Sequence, residues 1–210
     1  MISSSLKKSS HLKWSFWTAW VVASTAGIFL GFIAMYALIF LVKVIVPGVN
    51  EDRLFGVALF PFLAVFLSML QWVVLRPHVP RSGWWIMATI GGLVVAMAVS
   101  AGLVMVMSKA LGLGNQESLQ YVSPVVMTVV GLMLGLAQLL VLYRYIRQPH
   151  WWVLASTFGW FILSLIIGKS IDRLIDIVAL GAIPAALTGC TLVWLWQKPA
   201  GSRPSEETHA

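Results

Sequence analysis

The sequence predicts an all-α membrane protein of six transmembrane helices, arranged as three parallel two-helix repeats. Three observations carry this. Sixty per cent of the 210 residues are hydrophobic and 10% are charged, with a mean hydropathy of +0.90, whereas a soluble domain is ~45–50% apolar and ~25% charged. The apolar residues fall into six runs separated by short polar breaks, and a hydrocarbon core takes roughly 20 apolar residues per helical crossing. One tryptophan-led pattern opens every second run. Six crossings use up the chain and leave no room for a soluble catalytic domain.

The elements follow in order. Residues 1–13 form a basic, cytoplasmic N-terminal segment. Trp14 to Val46 is 33 residues of almost unbroken apolar character, about 50 Å as one helix against a ~30 Å core, so tilt or projection beyond the bilayer is expected. It is also far longer than the ~7–15-residue apolar stretch of a cleaved signal peptide, which predicts a retained helix. Pro47-Gly48 stops it. Leu54 to Leu75, closed by Arg76-Pro77, is the second span; Trp84 to Met107 the third; Pro124 to Tyr145 the fourth; Trp151 to Ile167 the fifth and shortest; Ile175 to Trp196 the sixth. Residues 197–210 are a polar cytoplasmic tail, and 14–196 are the transmembrane domain.

Charge sets the orientation. Lys7, Lys8, Lys13, Arg76, Arg81, Arg144, Arg147, Lys198 and Arg203 fall on one side, and Lys43, Arg53, Lys109, Lys169 and Arg173 on the other. Basic residues are retained in the cytoplasm, so both termini are expected there. Glu51, Asp52, Glu117, Asp172 and Asp176 fall on the opposite face. The net charge of +7 is dispersed singly and in pairs between apolar runs, which is membrane topology rather than a nucleic-acid surface. The expected location is a bacterial inner membrane, or a thylakoid membrane.

The internal repetition is specific. Trp20-Val-Val-Ala23-Ser24-Thr-Ala-Gly27, Trp85-Ile-Met-Ala88-Thr89-Ile-Gly-Gly92 and Trp152-Val-Leu-Ala155-Ser156-Thr-Phe-Gly159 share Trp-x-x-Ala-(Ser/Thr)-x-x-Gly. Gln71 precedes Trp85 by 14 residues and Gln138 precedes Trp152 by 14. Leu75 and Leu142 each follow their glutamine by four, and Thr188 with Leu192 holds the equivalent places in the last span. The unit is a helical hairpin used three times in one orientation, with approximate bounds 14–76, 84–147 and 151–196. The competing explanation is chance similarity among apolar segments, but Trp, Gly and Gln do not interchange with Leu. Small residues also recur every four places: Ala23, Gly27 and Gly31; Ala88, Gly92, Ala96 and Ser100; Gly131 and Gly135; Ala185 and Gly189. In lipid such stripes let helix backbones approach.

Each conspicuous residue has a plain reading and a functional one. Gln71 and Gln138, about 7 Å inside the cytoplasmic boundary, read first as interhelical hydrogen-bond formers and second as contacts to a ligand headgroup. Ten of eleven tryptophans lie near the cytoplasmic boundary, Trp160 alone being deeper. Anchoring at headgroup level explains them, while their one-sidedness suggests a surface for a lipid, an aromatic ring or a neighbouring membrane protein. Trp20, Gln71, Trp72, Trp84, Trp85, Gln138, Trp151 and Trp152 are the residues proposed for such contacts. Lys169, Asp172, Arg173 and Asp176 form the densest outer polar cluster. They read either as a solvated helix start or as an outer gate, since ionisable groups sunk in a bundle are costly and usually functional.

His11, His78, His150 and His209 all sit at span ends or in tails, so neither a metal nor a cofactor is expected. The single cysteine, Cys190, allows no intrachain disulfide and reads as a buried, inert thiol. There is no His-Glu-x-x-His pair, Gly-x-Ser-x-Gly elbow or Walker loop, and no acid in the centre of a span. Both an intramembrane enzyme and a proton-coupled transporter are disfavoured.

The stretch Gln71-Trp72-x-x-Leu75-Arg76 followed by Trp84-Trp85-x-x-Ala88, with the Trp-Trp-x-x-Ala-Ser variant at Trp151 to Ser156, resembles a group of uncharacterised multi-pass membrane proteins of photosynthetic bacteria. The chain departs from them in the fourth span, where Leu139 and Tyr143 replace Trp and Arg. The resemblance implies the hairpin architecture and no activity. The expected role is structural or accessory: packing beside a membrane complex, or beside a second copy, or binding lipid through the aromatic girdle. The alternative is a small-solute transporter or channel.

Overall fold

A computed structural model describes residues 2–46, 48–112, 115–146, 148–166 and 174–197. The described residues are all-α, in six helices: α1 (Ile2–Ile45), α2 (Glu51–Leu75), α3 (Trp84–Leu111), α4 (Asn115–Leu142), α5 (His150–Ile166) and α6 (Leu174–Gln197). Five contain stretches long and apolar enough to cross a membrane: Trp14–Ile45, Ala58–Leu75, Trp84–Leu111, Val122–Leu142 and Leu174–Trp196. The sixth, α5, is a shorter apolar helix of 17 residues, about 26 Å long and at the lower limit for a crossing.

The helices start and stop for local reasons. α1 ends just before Pro47-Gly48, and Gly48 takes φ +94°, a conformation that side chains disfavour. α3 ends at Gly112, which takes φ +62° and donates its N–H to the Ser108 carbonyl, a left-handed C-terminal cap. α1, α2 and α4 start before the apolar limits expected of them and α3 ends beyond its own, whereas α4 stops at Leu142, three residues short of the expected Tyr145. Polar residues at the bilayer edge prolong a helix because its backbone bonds are local, so hydropathy marks the buried length and not the helix length.

Each helix packs against its neighbours in sequence, and α6 returns to α1, so the six form a closed ring. The small residues set the crossings. A Cβ added at Gly27 would lie 2.7 Å from the Leu67 Cα, one at Gly92 2.7 Å from the Ala137 Cβ, and one at Gly131 2.8 Å from the Ser156 carbonyl oxygen. The closure of α6 on α1 is tightest: a Cβ at Gly181 would lie 2.6 Å from the Thr25 Cα. Backbones this close gain dispersion and weak polar contacts that larger side chains would prevent.

Three buried clusters fill the ring. One, at the end where α1, α3 and α5 begin their apolar stretches, contains Trp20, Trp85, Trp152, Leu75, Leu142 and Leu192. A second joins Ile28, Phe32, Met35 and Leu63 with Leu163 and Leu180. The third joins Ala64, Leu93, Ala96, Val130 and Leu134. Outward faces carry Val22, Ile33, Phe40, Val94, Leu140 and Leu165, all exposed, the reverse of a water-soluble fold and what a hydrocarbon solvent requires.

Candidate functional site

The most organised polar feature lies on the ring axis. In Trp-x-x-Ala-(Ser/Thr)-x-x-Gly, positions four and seven after the tryptophan fall about 40° and about 20° from it around a helix. Tryptophan, hydroxyl and glycine therefore share one face, and the close approach at the glycine turns that face inward. As a result Trp20, Trp85 and Trp152 are 0, 0 and 1% exposed and meet each other. Their ring centroids are 5.8 Å (Trp20–Trp85), 6.1 Å (Trp20–Trp152) and 5.6 Å (Trp85–Trp152) apart, at interplanar angles of 75°, 77° and 70°. These are edge-to-face contacts, which place a positive ring edge on a negative ring face and contribute about 0.5–1.5 kcal/mol per pair.

Each indole N–H finds an acceptor on an even helix. Trp85 Nε1 donates to Gln71 Oε1 at 3.1 Å, and the Gln71 amide Nε2 donates to Ser24 Oγ at 3.0 Å. Trp152 Nε1 donates to Gln138 Oε1 at 3.3 Å, and Gln138 Nε2 donates to Thr89 Oγ1 at 3.0 Å. Each glutamine thus links two odd helices. The third arm differs. Trp20 Nε1 donates to Thr188 Oγ1 at 3.2 Å, and the Thr188 hydroxyl donates to the Pro184 carbonyl at 2.8 Å. Threonine lacks the second donor with which a glutamine could span the gap, and Ser156 Oγ donates instead to the Gly131 carbonyl at 2.8 Å.

Leu75, Leu142 and Leu192 are fully buried with the triad. Beside it Ser24, Gln71, Gln138, Ser156 and Thr188 line a chamber of about 40 Å³, room for a water molecule at ~10–15 Å³ per probe sphere. A cavity of about 100 Å³ farther along draws apolar walls from all six helices, including Phe32, Leu63, Leu93, Val130, Trp160 and Leu180. The Ser100 hydroxyl at its edge is buried without a hydrogen-bond partner. The triad is an aromatic plug held by a belt of polar side chains that bond to it and to one another.

The residues expected to contact lipid or a partner therefore divide. Trp20, Trp85, Trp152, Gln71 and Gln138 are buried and spent on each other, so they offer no outer surface. The one-sidedness of the tryptophans is in part this internal triad. Trp84 and Trp151 are 68 and 43% exposed, and half-buried Trp72 lies beneath the Arg76 guanidinium, 5.7 Å from its ring centre. These three remain available to the surroundings. Cys190 is exposed rather than buried. Gly189 faces Trp17 and Trp20, and one residue later the helix has turned about 100° away from that contact.

Of the outer polar cluster, Lys169, Asp172 and Arg173 lie outside the described residues. Asp176 is in the first turn of α6 and buried, with partners of its own. His78 is exposed, its ring stacked on Trp196 at 5.3 Å and edge-on to Phe16 at 5.0 Å. Sequence reasoning missed one surface feature: Arg81 has φ +57° and lies with Arg144 on the groove between α3 and α4. The signal was the glycine pair Gly91-Gly92, which has one glycine more than the pattern needs.

No group of three or more metal-ligating side chains occurs among the described residues. No protein-family profile matches the chain, and neither a curated protein nor a solved structure matches it.

Proposed function

We propose that this chain is an integral membrane protein of structural or accessory type, built from three parallel hairpin repeats, with both termini on the cytoplasmic side of a bacterial inner membrane or a thylakoid membrane. It acts without catalysis, by packing beside a membrane complex or by holding lipid. One observation supports this above the others: the ring axis is plugged by Trp20, Trp85 and Trp152, and the polar groups around the plug bond to one another. A scaffold gains from such a rigid, sealed centre. A conduit would have to dismantle it each cycle.

The repeat reading is supported by the equivalent use of equivalent positions. Trp85–Gln71–Ser24 and Trp152–Gln138–Thr89 are the same arrangement one hairpin apart. The alternative, a small-solute transporter or channel, draws support from the polar chamber beneath the triad. Purification from the native membrane in mild detergent, with mass spectrometry of co-purifying proteins and lipids, tests the first reading. A retained assembly or lipid complement is expected. A lone, lipid-free protein that conducts solute in liposomes, and loses that flux on Gln138→Ala, would overturn it.

A further inference from the structure

We infer that the groove between α3 and α4 binds one anionic phospholipid, its acyl chain along the groove and its phosphate between Arg81 and Arg144. This rests on the membrane-embedded reading above.

The groove has a volume of about 850 Å³, with α3 residues such as Met87, Gly91 and Val95 on one wall and Leu136 and Leu140 of α4 on the other. Its α3 wall from Trp84 to Val95 rises about 16 Å, close to half of a ~30 Å hydrocarbon core. It therefore has the length of one leaflet's chains. It is apolar along its length and basic at its mouth, where Arg81, Arg144, Trp84 and Tyr145 gather.

No described carboxylate offsets this charge. Among the described residues neither arginine has a carboxylate partner: Glu51 pairs with Lys43, and Asp176 lies in the first turn of α6, at the other end of the helices. Arg144 lies beside the Tyr143 ring, 5.7 Å from its centre. Arg81 holds the left-handed backbone conformation, φ +57°, that a side chain disfavours; strain of this kind often accompanies ligand contacts. A lipid phosphate satisfies both guanidiniums through charge-assisted bonds, and the indole and phenol sit at the headgroup depth they prefer.

Gly91 is what opens the groove. The corresponding residues of the other two tryptophan-led segments are Ala26 and Phe158. A Cβ at Gly91 would meet nothing within 4 Å, whereas one at the adjacent Gly92 would strike Ala137. Gly92 thus serves the helix crossing and Gly91 serves the space beside it.

The test uses the full chain in mild detergent, with native mass spectrometry against phosphatidylglycerol and phosphatidylcholine of identical chains. Preferential retention of one phosphatidylglycerol is expected. The Arg81→Ala, Arg144→Ala double variant should lose selectivity by about 25-fold, at about fivefold per surface arginine. Gly91→Phe, which fills the groove, should lose retention of both lipids while melting like the parent. Leu140→Trp does the same from the other wall and replaces it should Gly91→Phe misfold. Equal retention of the two lipids overturns the proposal, as does a preference that survives the double variant or a groove-filled variant that still holds lipid. A chain recovered without detergent would overturn the membrane reading itself. A detergent-requiring chain that does not discriminate the headgroups overturns this site alone.

Discussion

The Trp85 indole N–H donates 3.1 Å to the side-chain carbonyl of Gln71, fourteen residues earlier and across the turn between α2 and α3. The same glutamine donates its amide to Ser24 on α1, so one side chain ties three consecutive helices together. Gln71→Leu leaves both a buried indole N–H and a serine hydroxyl short of a partner. It is expected to destabilise the protein in detergent by about 1–3 kcal/mol, read as a lowered melting temperature. In a double-mutant cycle with Trp85→Phe, the coupling should be about 0.6 kcal/mol and at most ~2. Zero coupling would mean that the bond contributes nothing.

Tryptophans adjacent in sequence should respond in opposite ways. Trp85→Ala empties the triad and should cost about 3–5 kcal/mol. Trp84→Ala changes an outward residue and should fall within about 0.5 kcal/mol of the parent. Equal melting temperatures for the two would show that the triad is not the core of that end.

Glycines likewise split by what faces them. Gly181→Leu drives a side chain into the Thr25 backbone, where even a Cβ would come to 2.6 Å, and should cost about 1–3 kcal/mol or more by overpacking. Gly91→Ala meets open space and should stabilise α3 by about 0.5–1 kcal/mol, the ordinary helical difference between these residues. Thermal unfolding of both variants in one detergent decides the sign.

Orientation is measured by fusion. A reporter active outside the cytoplasm alone should work when joined after Lys109 and fail after Gln148. The reverse pattern overturns the assignment of both termini to the cytoplasm.

Helix number and approximate ends were legible because apolar runs of bilayer length and breakers such as Pro47-Gly48 and Arg76-Pro77 act locally, each through a few neighbouring residues. The stripe residues Gly27, Gly92 and Gly131 were legible for a related reason: in lipid, close packing has few chemical solutions. The face presented by each tryptophan was not. Trp84 and Trp85 are the same residue type one step apart, as are Trp151 and Trp152, and composition assigns all four to a girdle. One step turns a helix by about 100°, and which member of the pair points inward depends on where the neighbouring backbones lie. That rotation was decided by the tertiary contacts: Gly27 on Leu67, Gly92 on Ala137, Gly159 on Pro184, and above all Gly181 on Thr25, where α6 closes the ring. Sequence spacing alone does not encode that closure, because it joins elements from opposite ends of the chain whose faces are set only when every helix between them has packed.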